Sequence, residues 1–136
     1  MVIYYDEDHL KNRQETFLRD EKGIVLYRGI YDFSYKYRTR LFEDLSERAY
    51  VELDITSEYP RVVLCDPDGR KIGELIRKEG LYLDGVPAEK NENGFRYMSA
   101  FAKDGVLDTG EEDVLKCVLL LFAMIEIERK KQYEEE

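Results

Sequence analysis

The residues Leu107-Asp108-Thr109-Gly110 carry the Asp-Thr-Gly signature with which retroviral-type aspartic proteases activate water between two carboxylates. That chemistry needs many strands after the motif, including a flap and an apolar-apolar-Gly segment. Here a helical segment follows directly, so Thr109 is expected to cap a helix and no catalytic role is assigned. Asp66-Pro67-Asp68-Gly69 has the look of a calcium loop, but an EF-hand closes on Glu at position twelve, and Arg77 stands there. It is expected to be a turn. His9 is the only histidine, set among Asp6, Glu7, Asp8 and Lys11 with no cysteine near it in sequence. One imidazole and two scattered thiols do not make a usual zinc site. The chain has no Gly-x-Ser-x-Gly, no P-loop and no Gly-x-Gly-x-x-Gly, so nucleophilic, phosphate-loop and dinucleotide chemistry have no support. No catalytic residue, no metal and no cofactor is expected.

One set of side chains has chemical content as a surface. Lys36, Arg38 and Arg40 alternate along a strand-like segment and so project from one face. Arg28, and Arg77 with Lys78 at the end of a matching hairpin, are candidates to join them as a site for an anionic head group or an acidic partner. The competing reading is an ordinary solvated strand face, with Tyr35, Tyr37, Thr39 and Leu41 packed inward.

The elements that must position these residues are legible. Thr16 to Arg28 and Val62 to Arg77 repeat one pattern, an apolar run, an Asp-x-x-Gly turn and a second run ending in Arg. The Asp side chain of such a turn can bond the turn backbone, and the Gly can take the left-handed conformation. Two similar β-hairpins are expected, from Asp20 to Gly23 and from Asp66 to Gly69 at their tips. Tyr35 to Phe42 and Arg48 to Thr56 alternate with period two; in the second, Ala49, Val51, Leu53 and Ile55 are expected to face in. Gly80 to Asp84 reads as a short strand, and Asn91 to Met98 as a turn leading into another. These segments amount to eight or nine strands within residues 1–101.

A single helix follows, expected at about 110–131, with Thr109 and Glu112 as its capping pair. From Cys117 to Ile125 nine consecutive residues are apolar, which leaves no polar face for water. Such a helix belongs in a core, and the run is well short of the ~20 apolar residues that span a bilayer. Arg129, Lys130 and Lys131 are expected at its C-terminal end, and residues 132–136 as a frayed, solvated acidic tail. The fold class is therefore mainly β (α+β): an antiparallel barrel or strongly curved sheet wrapped on a buried C-terminal helix, as one domain over 1–136.

With these hairpin turns and the central apolar helix, the chain resembles the tubby C-terminal-like superfamily, and in particular its small LURP-one-related members. The resemblance implies a closed barrel of about a dozen strands around Asp113 to Glu128. It also implies a non-enzymatic binding module of the type that recognises phosphoinositide head groups or sits at membranes. None of that family's ligand residues maps onto a matching position here.

Composition bounds the partners. The 136 residues are 43% hydrophobic, enough for one core, and carry a formal net charge of −9. That charge repels nucleic acid and anionic membranes at long range, so an anion site would need a local basic patch. The alternative function is an acidic inhibitor or immunity-type protein that covers a basic target by charge complementarity. Cys65 and Cys117 suit two packed thiols in a reducing compartment, and the first residues lack a basic and an apolar signal region. The expected location is cytoplasmic, peripheral to a membrane under the head-group reading, with no transmembrane segment.

Overall fold

The computed structural model describes residues 1–32, 34, 38–54, 56 and 58–135, with side chains of the last helix described as far as Glu128. Among the described residues, twelve strands and two helices follow one another. The first part comprises β1 (Val2–Tyr4), α1 (Glu7–Lys11), β2 (Thr16–Arg19), β3 (Val25–Asp32), β4 (Arg38–Glu43) and β5 (Ser46–Asp54). It continues with β6 (Arg61–Cys65), β7 (Lys71–Arg77), β8 (Leu81–Leu83), β9 (Val86–Asn91) and β10 (Gly94–Tyr97). The chain then forms β11 (Ala100–Lys103), β12 (Val106–Asp108) and α2 (Val114–Glu135). Each strand pairs antiparallel with its neighbours in sequence, and β1 pairs with β12 to close the barrel.

The two repeated segments are β2–β3 and β6–β7, and they fold alike down to single atoms. In each, an Asp carboxylate accepts the backbone N–H two and four residues on: Asp20 from Lys22 and Ile24, Asp66 from Asp68 and Arg70. Gly23 and Gly69 take φ of +82° and +89°, the left-handed region that other residues resist. The register shifts at the same point of both hairpins, so that Arg19 faces Val25 and Cys65 faces Lys71. A bulge there adds local twist, which helps curl the sheet.

Inward-facing side chains from ten strands line the interior: Ile3, Leu18, Leu41, Val51, Val62, Leu75, Leu83, Phe95, Ala102 and Leu107 are at most 1% exposed. Around them the helix turns 100° per residue, and the eight residues from Cys117 to Met124 are all at most 5% exposed. Every azimuth of α2 over that stretch is therefore covered, so the helix is enclosed. Close approach is built in at Gly29 on β3, where a Cβ would fall 2.7 Å from Cε1 of Phe122. Glycine here is room for the ring.

The strand and helix limits need correction. Strands continue past residue 101 through Asp108, and the twelve observed exceed the eight or nine read from pattern. β1, β9, β11 and β12 are the additions. They are short, or carry Pro87 or alanines, and acquire strand geometry by pairing with stronger neighbours. The helix starts at Val114, not near 110. Its cap is Asp113, whose Oδ1 accepts the N–H of Lys116 at 2.8 Å, while the Cys117 N–H reaches the Asp113 carbonyl at 3.0 Å. Thr109 is 1% exposed and serves the barrel closure instead: its N–H donates to the Met1 carbonyl at 2.9 Å and its hydroxyl accepts from the Met1 amino group at 3.2 Å. The helix runs on to Glu135, so Arg129, Lys130 and Lys131 lie within it and residues 132–135 are helical, not frayed.

Candidate functional site

Of the predicted basic strand, Arg38 and Arg40 lie on β4 and Lys36 falls outside the described residues. Strand alternation sends Thr39 and Leu41 inward, at 8% and 1% exposure, and the two arginines outward. Each meets carboxylates across the sheet. Arg38 Nη2 bonds Glu52 Oε1 at 3.1 Å, and its guanidinium lies 4.1 Å from the Tyr50 ring centroid. Arg40 Nε is 2.9 Å from Asp32 Oδ2, with Nη1 3.6 Å from Glu47 Oε2. Arg28, one strand away, stands over Phe42 at 5.4 Å. The registers explain this, since Arg38 sits opposite both Asp32 and Glu52, and Arg40 lies next to the Asp32 end of β3.

Arg77 does not join this face. It has the inward parity of fully buried Leu75 and reaches to the helix, donating from Nη2 to Glu128 Oε1 at 2.7 Å. Lys78 turns aside, with its ammonium 5.3 Å from the Tyr59 ring. The five predicted residues thus form no single described cluster. Arg38 and Arg40 share a wall, while Arg77 braces the mouth of the barrel.

The outer wall continues as cross-strand ion pairs. Arg61 donates from Nε to Asp54 Oδ2 at 2.8 Å and from Nη1 to Glu74 Oε1 at 3.4 Å. Asp54 also accepts from the hydroxyl and N–H of Thr56. The Thr56 hydroxyl does most to hold the Asp54 carboxyl down, at about 2, against the opposing effect of burial; the Thr56 N–H and Arg61 add to it. A carboxylate depressed in the folded state contributes stability that is full above its unfolded value, ~3.9, and is lost as pH falls toward the folded one. We expect Asp54→Asn to flatten the acid arm of the stability curve between about pH 5 and 2. Urea titrations of both proteins across that range check it, and identical slopes would contradict the assignment.

Sequence reading missed a second arrangement, at the end of the barrel closed by α1. Glu126 on α2 is 2% exposed, and its Oε2 lies 3.7 Å from Nη2 of Arg13. Arg13 follows α1 with φ +57° and stacks 4.4 Å from the Tyr31 ring centroid. The space bordered by Arg13, Thr16, Thr39, Phe122 and Glu126 is only about 10 Å³, which is room for one water and not for a substrate. This is a buried structural pair. Its signal in the sequence was a lone acid between Ile125 and Ile127, continuing the apolar run.

The remaining motifs resolve as local structure. Asp108 Oδ1 accepts the N–H of Gly110 at 3.0 Å and stabilises a turn. His9 is exposed, 3.8 Å from the Asp6 carboxylate that caps α1. Among the described residues no group of three or more His, Cys, Asp or Glu side chains could hold a metal ion, and no helix is long and apolar enough to cross a membrane. Cys65 and Cys117 are free thiols, 6% and 1% exposed. Burial pushes both up, Cys117 to about 11. The expected result is slow labelling of both by a thiol reagent at pH 8 until the protein is unfolded, because access and thiolate are both lacking. Stopped-flow labelling in the presence and absence of denaturant measures this, and rapid reaction of either native thiol would contradict it.

No family model, curated protein or solved structure matches the chain. The reading of its function therefore rests on its own residues.

Proposed function

We propose that the protein is a non-catalytic binding module of the tubby-like type whose acidic surface engages a basic protein target. The tubby-like part is supported by twelve sequentially adjacent antiparallel strands closing around an apolar C-terminal helix. The observation that carries the choice of target is the pairing of the β4 arginines: Arg38 with Glu52, and Arg40 with Asp32 and Glu47. An anion binding there would have to displace carboxylates already in place, on a chain of net charge −9. The interior offers no alternative, because the helix fills it. A basic surface approaching this protein meets charge complementarity that an anionic head group does not.

The test compares two probes at low ionic strength. Vesicles containing an anionic phosphoinositide are expected not to bind the protein, whereas lysine- and arginine-rich peptides are expected to bind saturably and to weaken steeply as salt shortens the ~10 Å screening length at 0.1 M. Vesicle binding that is abolished by changing Lys36, Arg38 and Arg40 together to Ser would reverse the assignment and restore the head-group reading.

A further inference from the structure

The two ends of the barrel differ in what their connections expose. In a barrel of sequentially adjacent antiparallel strands, alternate connections share an end. The turns β2–β3, β4–β5, β6–β7, β8–β9 and β10–β11 therefore ring the end where α2 begins, and Met1 joins them through its bonds with Thr109. Six of the ten exposed large apolar side chains among the described residues stand on this rim. Leu45, at the tip of the β4–β5 turn, is 93% exposed; Ile24 is 58%, Met98 59%, Met1 57%, Ile72 49% and Val25 42%. Single exposed apolar residues are ordinary, but tight turns favour polar ones that bond their own backbone. A ring of apolar tips at one end is a surface pattern that marks interaction sites.

The rim also has a pocket. Between β6–β7 and the first turns of α2 lies a cavity of about 160 Å³ walled by Leu64, Ile72, Leu115 and Leu119, with Asp113 and Lys116 completing it. An apolar cavity of about 150 Å³ accepts a benzene ring, so this one has space for one large apolar side chain.

Its surroundings are acidic. On balance acids outnumber cations: Glu43 and Asp44 precede Leu45 with Arg48 paired to Glu43, Asp20 and Glu21 lie before Ile24 with Lys22, the β6–β7 turn carries Asp66 and Asp68 with Arg70 and Lys71, and the end of β12 with the β12–α2 connection carries Asp108, Glu111, Glu112 and Asp113 with no cation. Backbone hydrogen bonds to Asp20, Asp108 and Asp113 fix these carboxylates in place without removing their charge. The two lysines nearest the cavity are already engaged, Lys71 with Glu74 and Lys116 with Asp84. An apolar centre inside a negative border disfavours a second copy, which would bring like-charged borders together, and an anionic bilayer for the same reason. It fits a segment with the opposite border and a matching centre.

We propose that this rim is the docking surface for a basic protein segment bearing one large apolar anchor, which enters the cavity beside Ile72 while its cations face the acidic connections. Leu45, on the neighbouring β4–β5 turn, and Ile24, on the β2–β3 turn beyond it, extend the apolar rim to one side of the anchor. The inference rests on the protein-target reading above and adds its location and the chemistry of the contact.

The experiment is an NMR titration of the full chain with two synthetic peptides rich in Lys and Arg, one with a central Leu and one with Ser in its place. The Leu peptide is expected to bind at least about tenfold more tightly, a difference of ~1.4 kcal/mol, with shift changes concentrated at Ile24, Leu45, Ile72 and Leu115. Leu45→Ser and Ile72→Ser should each weaken it by a similar factor, Leu45→Ser without lowering Tm because that side chain is 93% exposed. Equal binding of the two peptides, or binding that both variants leave intact, overturns the rim site while the basic-target reading stands. Absence of binding by either peptide at low salt overturns both. Concentration-dependent dimerisation abolished by Leu45→Ser, or binding to zwitterionic vesicles abolished by it, would assign the rim to a second copy or to a bilayer and overturn the proposal.

Discussion

Replacing Leu120 by Ala is expected to destabilise the protein by ~3 to 5 kcal/mol, and Phe122→Ala by a similar amount, toward the upper range for large-to-small core changes. Leu120 is fully buried and Phe122 is 5% exposed. Both sit on a helix enclosed by strands, so the cavity left behind is bounded by a closed hydrogen-bonded wall. A helix on an open surface could shift to refill the space. Here the barrel would have to deform in many strands at once, so little relaxation is available. Phe122 adds a specific test of register, because its ring fits against the bare backbone of Gly29. Gly29→Val should therefore also destabilise, by overpacking, and pairing it with Phe122→Leu should cost less than the two changes summed. Denaturant unfolding of the unmodified protein and these five variants measures the differences. Loss of only a few tenths of a kcal/mol for Leu120→Ala would contradict the enclosed-helix core.

Arg13→Ala should cost about 3 to 5 kcal/mol, as expected when one member of a buried ion pair is removed and the other stays. Its partner Glu126 is 2% exposed on the enclosed helix, whereas Arg13 is 22% exposed at the side chain and closes the barrel end from outside. The loss is asymmetric for that reason. Without Arg13 the Glu126 carboxylate, 2% exposed, loses a cationic neighbour that solvent cannot readily replace, while without Glu126 the guanidinium can still stack on Tyr31 and reach solvent. Arg13→Ala combined with Glu126→Gln should consequently be more stable than Arg13→Ala alone. Thermal and urea unfolding of the cycle decide it. A double variant no more stable than Arg13→Ala would show that the pair is not what holds this end.

The elements built from local chemistry could be read without a structure. The Asp20 and Asp66 turns are self-contained, because an Asp carboxylate bonding its own backbone and a Gly at positive φ need no distant partner. The burial of this run, complete from Cys117 to Met124 and partial at Ile125, was equally legible, since nine apolar residues in a row have no face to give to water. Together they dictated a curled antiparallel sheet on a central helix. The strands that a local pattern does not announce, β1, β9, β11 and β12, exist because neighbours supply their hydrogen bonds, and they turned a curled sheet into a closed barrel.

The candidate site divides in the same way. Alternation placed Arg38 and Arg40 on one outward face, which the fold bears out. Whether that face carries net charge depended on which residues stand across the ladder, and Asp32, Glu47 and Glu52 come from two other strands. Arg77 was grouped with them by its place at the end of a matching hairpin, but strand parity and the distance to Glu128 send it to the helix. Thr109 met the composition of a cap and was taken instead by Met1, from the far end of the chain. The sequence by itself determined turns, periodicity and the buried helix, because those energies act over a few residues. Charge pairing, the buried Arg13–Glu126 contact and the apolar rim were decided only by the tertiary structure, because each depends on side chains that chain connectivity keeps apart and barrel closure brings together.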